Sequence, residues 1–151
     1  MIKIPKSVLR EIYDHMEASY PHECCGLMVG TSDGGTRVVH AARRCNNLNT
    51  ERAHDRYQMD PKCWLTTQRE FDGSAWEIIG IYHSHPDHPS RASKTDTDEA
   101  LGAGMFGYSY VIVSVQKGTV ASAQSWILND TEPRFDEEPL VIDEVVEGDR
   151  K

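Results

Sequence analysis

The chain has 151 residues, of which 38% are hydrophobic and 26% charged, and a net charge of −8. That is the length of one ordinary domain, enough to bury a core without disulfides, and not the composition of a disordered chain. No apolar run approaches the ~20 residues of a transmembrane helix, Met1-Ile2-Lys3-Ile4-Pro5 has no signal-peptide core, and no basic stripe is present to neutralise phosphates, so neither a membrane protein nor a primary nucleic-acid binder is expected.

The acid is unevenly placed: residues 1–70 sum to +1 and residues 71–151 to −9. Cys24, Cys25, Cys45 and Cys63 show no CxxC spacing, and the adjacent pair is badly placed for a mutual disulfide. Four reduced cysteines in a cytoplasmic protein are the expectation.

In chain order, Pro5 to Tyr20 reads as a helix. Val8, Leu9, Ile12, Tyr13 and Met16 form one apolar stripe, Pro5 suits the first turn and Pro21 ends it. Leu27-Met28-Val29 reads as a short buried strand, Asp33-Gly34-Gly35 as a hairpin turn, and Arg37 to Ala42 as the returning strand. Arg43 to Asp55 is polar and reads as a loop, and Tyr57-Gln58-Met59 is a candidate short strand. Asp60 caps a helix opened by Pro61, which presents Cys63, Trp64, Thr67 and Phe71 and ends near Gly73. Glu77 to His83 is a nearly continuous apolar run, as in a central strand covered on both faces.

Residues 84–92 form a proline-broken loop, and Ser93 to Gly102 a third helix. Strands follow over Tyr108–Val115 and Val120–Leu128, around a turn at Lys117-Gly118, with a last strand over Leu140–Val146. The order α-β-β-α-β-α-β-β is an α+β arrangement in a single domain. The domain is placed at residues 1–147, with a frayed tail at 148–151.

The chemistry concentrates in Tyr82-His83-Ser84-His85-Pro86 and Ser93-Lys94-Thr95-Asp96. Residues two apart in a strand point the same way, so His83 and His85 offer two imidazoles side by side at the strand exit. The loop to Asp96 is long enough to return the next helix's first turn to that pair. Two histidines and a carboxylate leave the fourth position of a tetrahedral zinc open for water. Each piece has a plainer reading. Paired histidines at a strand end are often surface decoration, and Ser-x-x-Asp is also a capping box. Capping and ligation are compatible in one residue pair.

The full string resembles the JAMM motif of the MPN-plus metallopeptidases, which has an upstream glutamate, then His-x-His-Pro, then Ser-x-x-Asp. The upstream match is Glu23 in Pro21-His22-Glu23-Cys24-Cys25-Gly26-Leu27-Met28-Val29-Gly30. The likeness spans roughly residues 5–128. Its one noted departure is Ala92, where many relatives have Pro. The resemblance implies a mixed sheet flanked by helices, similar to the cytidine-deaminase fold, and one Zn2+ per chain held by His83, His85 and Asp96. It implies Glu23 as general base and Ser93 as oxyanion donor.

It further implies a zinc metallopeptidase or isopeptidase. The short chain and His-Ser-His-Pro-Asp-His-Pro look like the prokaryotic branch that acts on ubiquitin-like sulfur carriers ending in Gly-Gly, releasing cysteine or a lysine amine. The Gly-Gly tail is expected beside Tyr57–Asp60 and the loop 86–92. The alternative is a non-catalytic MPN-type protein-binding scaffold, which would need a lost ligand or base. Oligomeric state is left open.

Other features carry less. His22-Glu23-Cys24-Cys25-Gly26 lacks the second histidine of HExxH, and the Pro-Cys-x-x-Cys of zinc deaminases is absent. His88 reads as a loop residue at the cleft mouth. Cys24 is either a redox handle or a packing residue. Ser84 either orients its neighbours or is simply small.

Overall fold

The structure, a computed structural model, describes residues 1–143. Its frame is one eight-stranded sheet built from β1 (Ile2–Pro5), β2 (Cys25–Asp33), β3 (Thr36–Cys45), β4 (Glu77–Pro86), β5 (Ser109–Gln116), β6 (Thr119–Leu128), β7 (Phe135–Glu138) and β8 (Leu140–Asp143). The spatial order is β7-β6-β5-β4-β2-β3-β1-β8. Pairing is antiparallel except between β4 and β5 and where β1 joins β3 and β8, which makes the sheet mixed.

Strand alternation sorts the apolar residues between two faces. Met28, Tyr82, Val111 and Val113 face helix α1 (Lys6–Ser19), whose Val8, Leu9, Ile12 and Met16 pack on them. Leu27, Ile81 and Tyr110 face the opposite side. There Trp64 of α2 (Pro61–Glu70) and Ala100 of α3 (Lys94–Gly102) cover them. The result is the expected α+β architecture of a mixed sheet flanked by helices.

Two strands were not expected. β1 is four residues long, too short for alternation to show, yet Ile2 and Ile4 are fully buried between β3 and β8. β7 has the sequence Phe-Asp-Glu-Glu, and forms because β6 offers a free edge and Ser125 Oγ donates to the buried Glu138 at 2.7 Å. β3 also runs on to Cys45, past the expected loop start at Arg43, and Tyr57–Met59 contributes only an isolated bridge from Met59 to Asn47. The strand expected over 140–146 is seen as Leu140–Asp143. Residues 144–146, the domain end at 147 and the tail 148–151 lie outside the described residues.

The expectation of four reduced cysteines is corrected. Cys45 and Cys63 form a disulfide, while Cys24 and Cys25 are free and buried. Compartment and spacing say nothing about geometry. Here the end of β3 meets the first turn of α2 with Cα atoms 5.6 Å apart, well within disulfide reach. Among the described residues no helix is long and apolar enough to cross a membrane.

Candidate active site

The site follows from the β4–α3–β5 crossover. Parallel strands cannot be joined by a tight turn, so the chain leaving β4 must pass over the sheet's end and return through a helix. The loop 87–93 does this, bringing the first turn of α3 back beside the end of β4. Because β2 runs antiparallel to β4, its start also lies at that end, with Cys25 opposite His83. Glu23, two residues earlier, therefore reaches the same spot.

His83 and His85 share a face with Ile81, toward α3, and Ser84 shares the other with Tyr82. His83 Nε2 lies 3.1 Å from His85 Nε2. Asp96 Oδ2 is 3.0 Å from His85 Nε2, and Asp96 Oδ1 is 3.4 Å from His83 Nε2. Carboxylate and imidazole atoms of Glu23, His83 and His85 all fall within 4.8 Å of one another. All four residues are buried. Asp96 touches both imidazoles, and Glu23 completes with the same two histidines a set able to hold a metal ion.

These atoms suit a metal ion. Ligands about 2.0–2.1 Å from a tetrahedral zinc are about 3.3 Å from each other, which matches the 3.0–3.4 Å contacts here. His85 Nδ1 faces the Pro89 carbonyl at 2.8 Å. Donating there leaves the Nε2 lone pair free, the usual way a ligand imidazole is oriented. Between two imidazole nitrogens and a carboxylate, a cation resolves a crowding of lone pairs that protons alone satisfy only in part. His83 is held flat by Tyr57, whose ring stacks on it at 4.5 Å.

The electrostatics agree. Burial pushes the Glu23 carboxyl up to about 8, the charge of His85 opposing it. Burial would raise Asp96 too, but the charge of His83 and the bonds from His83, His85 and the Ser93 amide pull it well below the usual carboxylate range. Burial lowers His83. It also works against His85, where the hydrogen bond and charge of Asp96 prevail and the net shift is upward.

Ser93 and Asp96 make the expected capping box: Ser93 Oγ accepts from the Asp96 amide at 3.0 Å, and Asp96 Oδ2 accepts from the Ser93 amide at 2.9 Å. Capping and a place in the cluster thus coexist in Asp96. Ser93 Oγ accepts in that cap, so its own hydrogen remains to donate elsewhere. The structure brings together Glu23, His83, His85, Ser93 and Asp96. His88 lines the cleft mouth, as expected of it, and does not join the cluster.

Three supports went unrecognised in the sequence. Asn47 Nδ2 donates to the carbonyls of Glu23 (3.0 Å) and Arg56 (3.1 Å), while its Oδ1 accepts from the amides of Asn49 and Gln58 at 2.9 Å each. It clips the 46–58 loop to Glu23, and the Asn46-Asn47 pair was its only signal. Tyr57 is the second and the Pro89 carbonyl the third. Ser84 proves to be an orienting residue: its Oγ accepts from the Cys24 amide at 3.0 Å and lies 3.6 Å from Cys24 Sγ. Burial raises the Cys24 thiol to about 11, which fits packing and not redox reactivity.

Two clefts of about 330 Å³ each open on the cluster. One includes Glu23, Arg56, His85, His88, Arg91 and Ser93. The other, beyond Asp96, is apolar and includes Tyr57, Met59, Trp64, Ile81, Met105 and Tyr110. The segments expected to form one groove, 57–60 and 86–92, therefore line different clefts.

The family model for prokaryotic homologues of the JAB domain matches residues 5–129. A desampylase of Haloferax volcanii is 31% identical over 108 residues, 72% of this chain and 73% of that one. A desampylase of Pyrococcus furiosus is 29% identical over 127 residues, 84% of this chain and 81% of that one. Among solved structures, a protein of Desulfitobacterium hafniense superimposes with a TM-score of 0.82 at 30% identity, covering 98% of this chain and 97% of that one. A JAB1/MPN domain protein from Archaeoglobus fulgidus shares the fold, with a TM-score of 0.59 at 18% identity over 93% of this chain and 97% of that one.

Proposed function

From the premise that the chain belongs to the family of prokaryotic homologues of the JAB domain, we propose that it is a zinc-dependent hydrolase. It cleaves the amide bond after the C-terminal Gly-Gly of a ubiquitin-like sulfur-carrier protein. The observation that carries the chemistry is the convergence of His83, His85 and Asp96 at 3.0–3.4 Å with Glu23 beside them. The relatives named desampylases support a ubiquitin-like protein as substrate.

His83, His85 and Asp96 would hold one zinc ion. Bound there, zinc supplies Lewis acidity that polarises the scissile carbonyl and acidifies a water. Glu23 takes the proton of the attacking water and returns it to the departing amine. Ser93 keeps a hydroxyl hydrogen free for the developing oxyanion. Tyr57, Asn47 and the Pro89 carbonyl hold these groups in place. A non-catalytic scaffold would have no need of this complete, mutually oriented set.

The deciding experiment measures zinc content and hydrolysis together. Purified protein should carry about one zinc per chain, and the His83→Ala/His85→Ala double variant should lose it. Glu23→Gln should keep the metal while hydrolysis of a Gly-Gly-linked adduct falls about 10²–10⁴-fold. Full zinc retention by the double variant, or undiminished turnover by Glu23→Gln, refutes the assignment.

A further inference from the structure

Away from the clefts of the hydrolytic cluster, a pocket of about 270 Å³ is lined by the second half of α2, the turn after it, the start of β4 and Tyr108. It borders Glu77, six residues before His83 on β4, so it lies about 20 Å along that strand from the paired histidines.

Aromatic rings border it. Trp64 and Tyr108 meet edge-on at 5.4 Å between centroids, and Phe71 and Trp76 are tilted at 6.0 Å. The turn that carries Phe71 and Trp76 is fixed from within. Ser74 Oγ donates to the Phe71 carbonyl at 2.6 Å and accepts from the Trp76 amide at 3.1 Å. Gly73 supplies the positive φ, 79°, that the turn takes.

Three polar groups of the lining are uncommitted. Asp72 and Glu77 are exposed, and their carboxylates make no hydrogen bond or ion pair among the described residues. Thr67 is only 3% exposed, yet its hydroxyl has no hydrogen-bond partner among the described residues. Hydroxyls buried this deeply are normally bonded, and a helical threonine has the carbonyl four residues back within reach. Thr67 leaves that option unused and borders the pocket instead, which points to a partner that enters there. No lysine, arginine or histidine lines the pocket to neutralise the two carboxylates.

An apolar occupant would use the rings and leave all three polar groups unanswered. An anion would meet two like charges. An organic cation answers everything: ring faces attract it, and carboxylates and hydroxyl accept its hydrogen bonds. Of such cations a guanidinium fits best, because it is planar. It stacks on a ring while its edge offers donors in a fork, whereas an ammonium is a compact point charge. The chain shows this pairing beside the pocket. Arg43 lies over the Phe71 ring at 5.0 Å from the centroid, while its Nε and Nη2 donate to Glu70 at 2.9 and 2.6 Å.

We propose that this pocket is a guanidinium-binding site, separate from the hydrolytic cluster, which takes either an arginine side chain of a partner protein or free arginine. The inference is independent of the hydrolase reading above.

The test is an NMR titration of the zinc-loaded full chain, following the indole N–H signals of its three tryptophans. Trp76 borders only this pocket, Trp64 borders both this pocket and the apolar cleft, and Trp126 borders neither. The probes are Nα-acetyl-argininamide, free arginine, Nα-acetyl-lysinamide and Nα-acetyl-citrullinamide, the last being the uncharged isostere of the first. Nα-acetyl-argininamide should shift Trp76 and Trp64 saturably and leave Trp126 in place. The citrulline probe should bind about tenfold or more weakly, as expected for losing charge-assisted bonds, and the lysine probe more weakly than the arginine one. Tighter binding of Nα-acetyl-argininamide than of free arginine assigns the site to a side chain within a protein, and the reverse assigns it to the free amino acid. Asp72→Asn/Glu77→Gln, a pair of exposed substitutions, should weaken binding about tenfold or more, and the isosteric Thr67→Val about fivefold. Equal binding of the arginine and citrulline probes overturns the proposal, as does a lysine probe that binds as tightly. So do an unshifted Trp76 and unchanged affinity in the double variant.

Discussion

His15 sets a pH dependence of stability that is separate from the metal cluster. It lies on the inner face of α1 and is buried, with Nδ1 2.7 Å from the Tyr82 hydroxyl and the two rings edge-on. Burial, with the charge of Arg44 adding to it, lowers its pKa from the ordinary 6.5 to about 4. Burial also keeps Tyr82 protonated, so the hydroxyl can donate to Nδ1, and a proton added there would displace that bond. Between pH 6.5 and about 4 the unfolded chain binds a proton at this residue and the native chain does not. The stability contributed by neutral His15 is therefore complete above pH 6.5 and lost as the pH falls toward 4. The full span is worth about 3 kcal/mol, and partial solvent screening reduces it to about 2 kcal/mol. His15→Asn keeps a polar partner for Tyr82 and removes the titration. Urea unfolding at a series of pH values, with the disulfide intact, should show the unmodified chain losing about 2 kcal/mol more than the variant across this window. Acid loss of any bound metal affects both chains alike and cancels in the difference. Parallel stability curves would refute the assignment of this titration to His15.

Three further outcomes follow from single contacts. A Cβ at Gly26 would sit 2.2–2.3 Å from the Tyr82 ring. Gly26→Ala should therefore lower the urea midpoint by the equivalent of about 1–3 kcal/mol, and Tyr82→Leu in the same chain should restore part of it. Ser93→Ala should cost about 1 kcal/mol as a lost helix cap and lower hydrolysis about 10²–10³-fold through the lost oxyanion donor; a rate loss that merely tracks the stability loss would leave Ser93 as a cap alone. Asn47→Ala gives up four hydrogen bonds, at about 1 kcal/mol each. Faster amide hydrogen exchange over residues 48–58 should accompany a fall in hydrolysis, and unchanged exchange there would show that the loop does not depend on Asn47.

Local patterns were legible where a residue's role depends on its near neighbours in sequence. The stripe of α1, the Asp60-Pro61 opening of α2, the apolar run of β4 and the Ser93–Asp96 box are all of this kind, and each took the expected form, except that β4 runs on to Pro86, past the expected loop start at Ser84. Alternation along β4 was enough to put His83 and His85 on one face. The parts that escaped depend on what lies across space. Neither the chemistry of Ile2–Pro5 nor that of Phe135–Glu138 announces a strand; each is recruited by an available edge, β3 for one and β6 for the other. The Cys45–Cys63 bridge joins residues whose only sequence relation is a spacing of 18.

Glu23 is the instructive intermediate case. Nothing near it in sequence marks it as other than a surface carboxylate, and only the resemblance pointed to it. What makes it special is the antiparallel pairing of β2 with β4, which sets the start of one strand against the end of the other. Its amide donates to the Ala53 carbonyl and its own carbonyl accepts from Asn47, so both sides of its backbone are tied to the 46–58 loop. Up to Asp55 that loop reads as plain polar connection in the sequence, and Tyr57–Met59 as a short strand, yet together they carry Asn47, Arg56 and Tyr57. The disulfide closes it from Cys45 to Cys63. A loop is tolerant of sequence only while its residues face water. Once its side chains hold Glu23 in place, stack on His83 and line a cleft, its conformation becomes part of the site. That is where a one-dimensional reading has least to work with, because hydrophobic periodicity falls silent where the functional contacts are made.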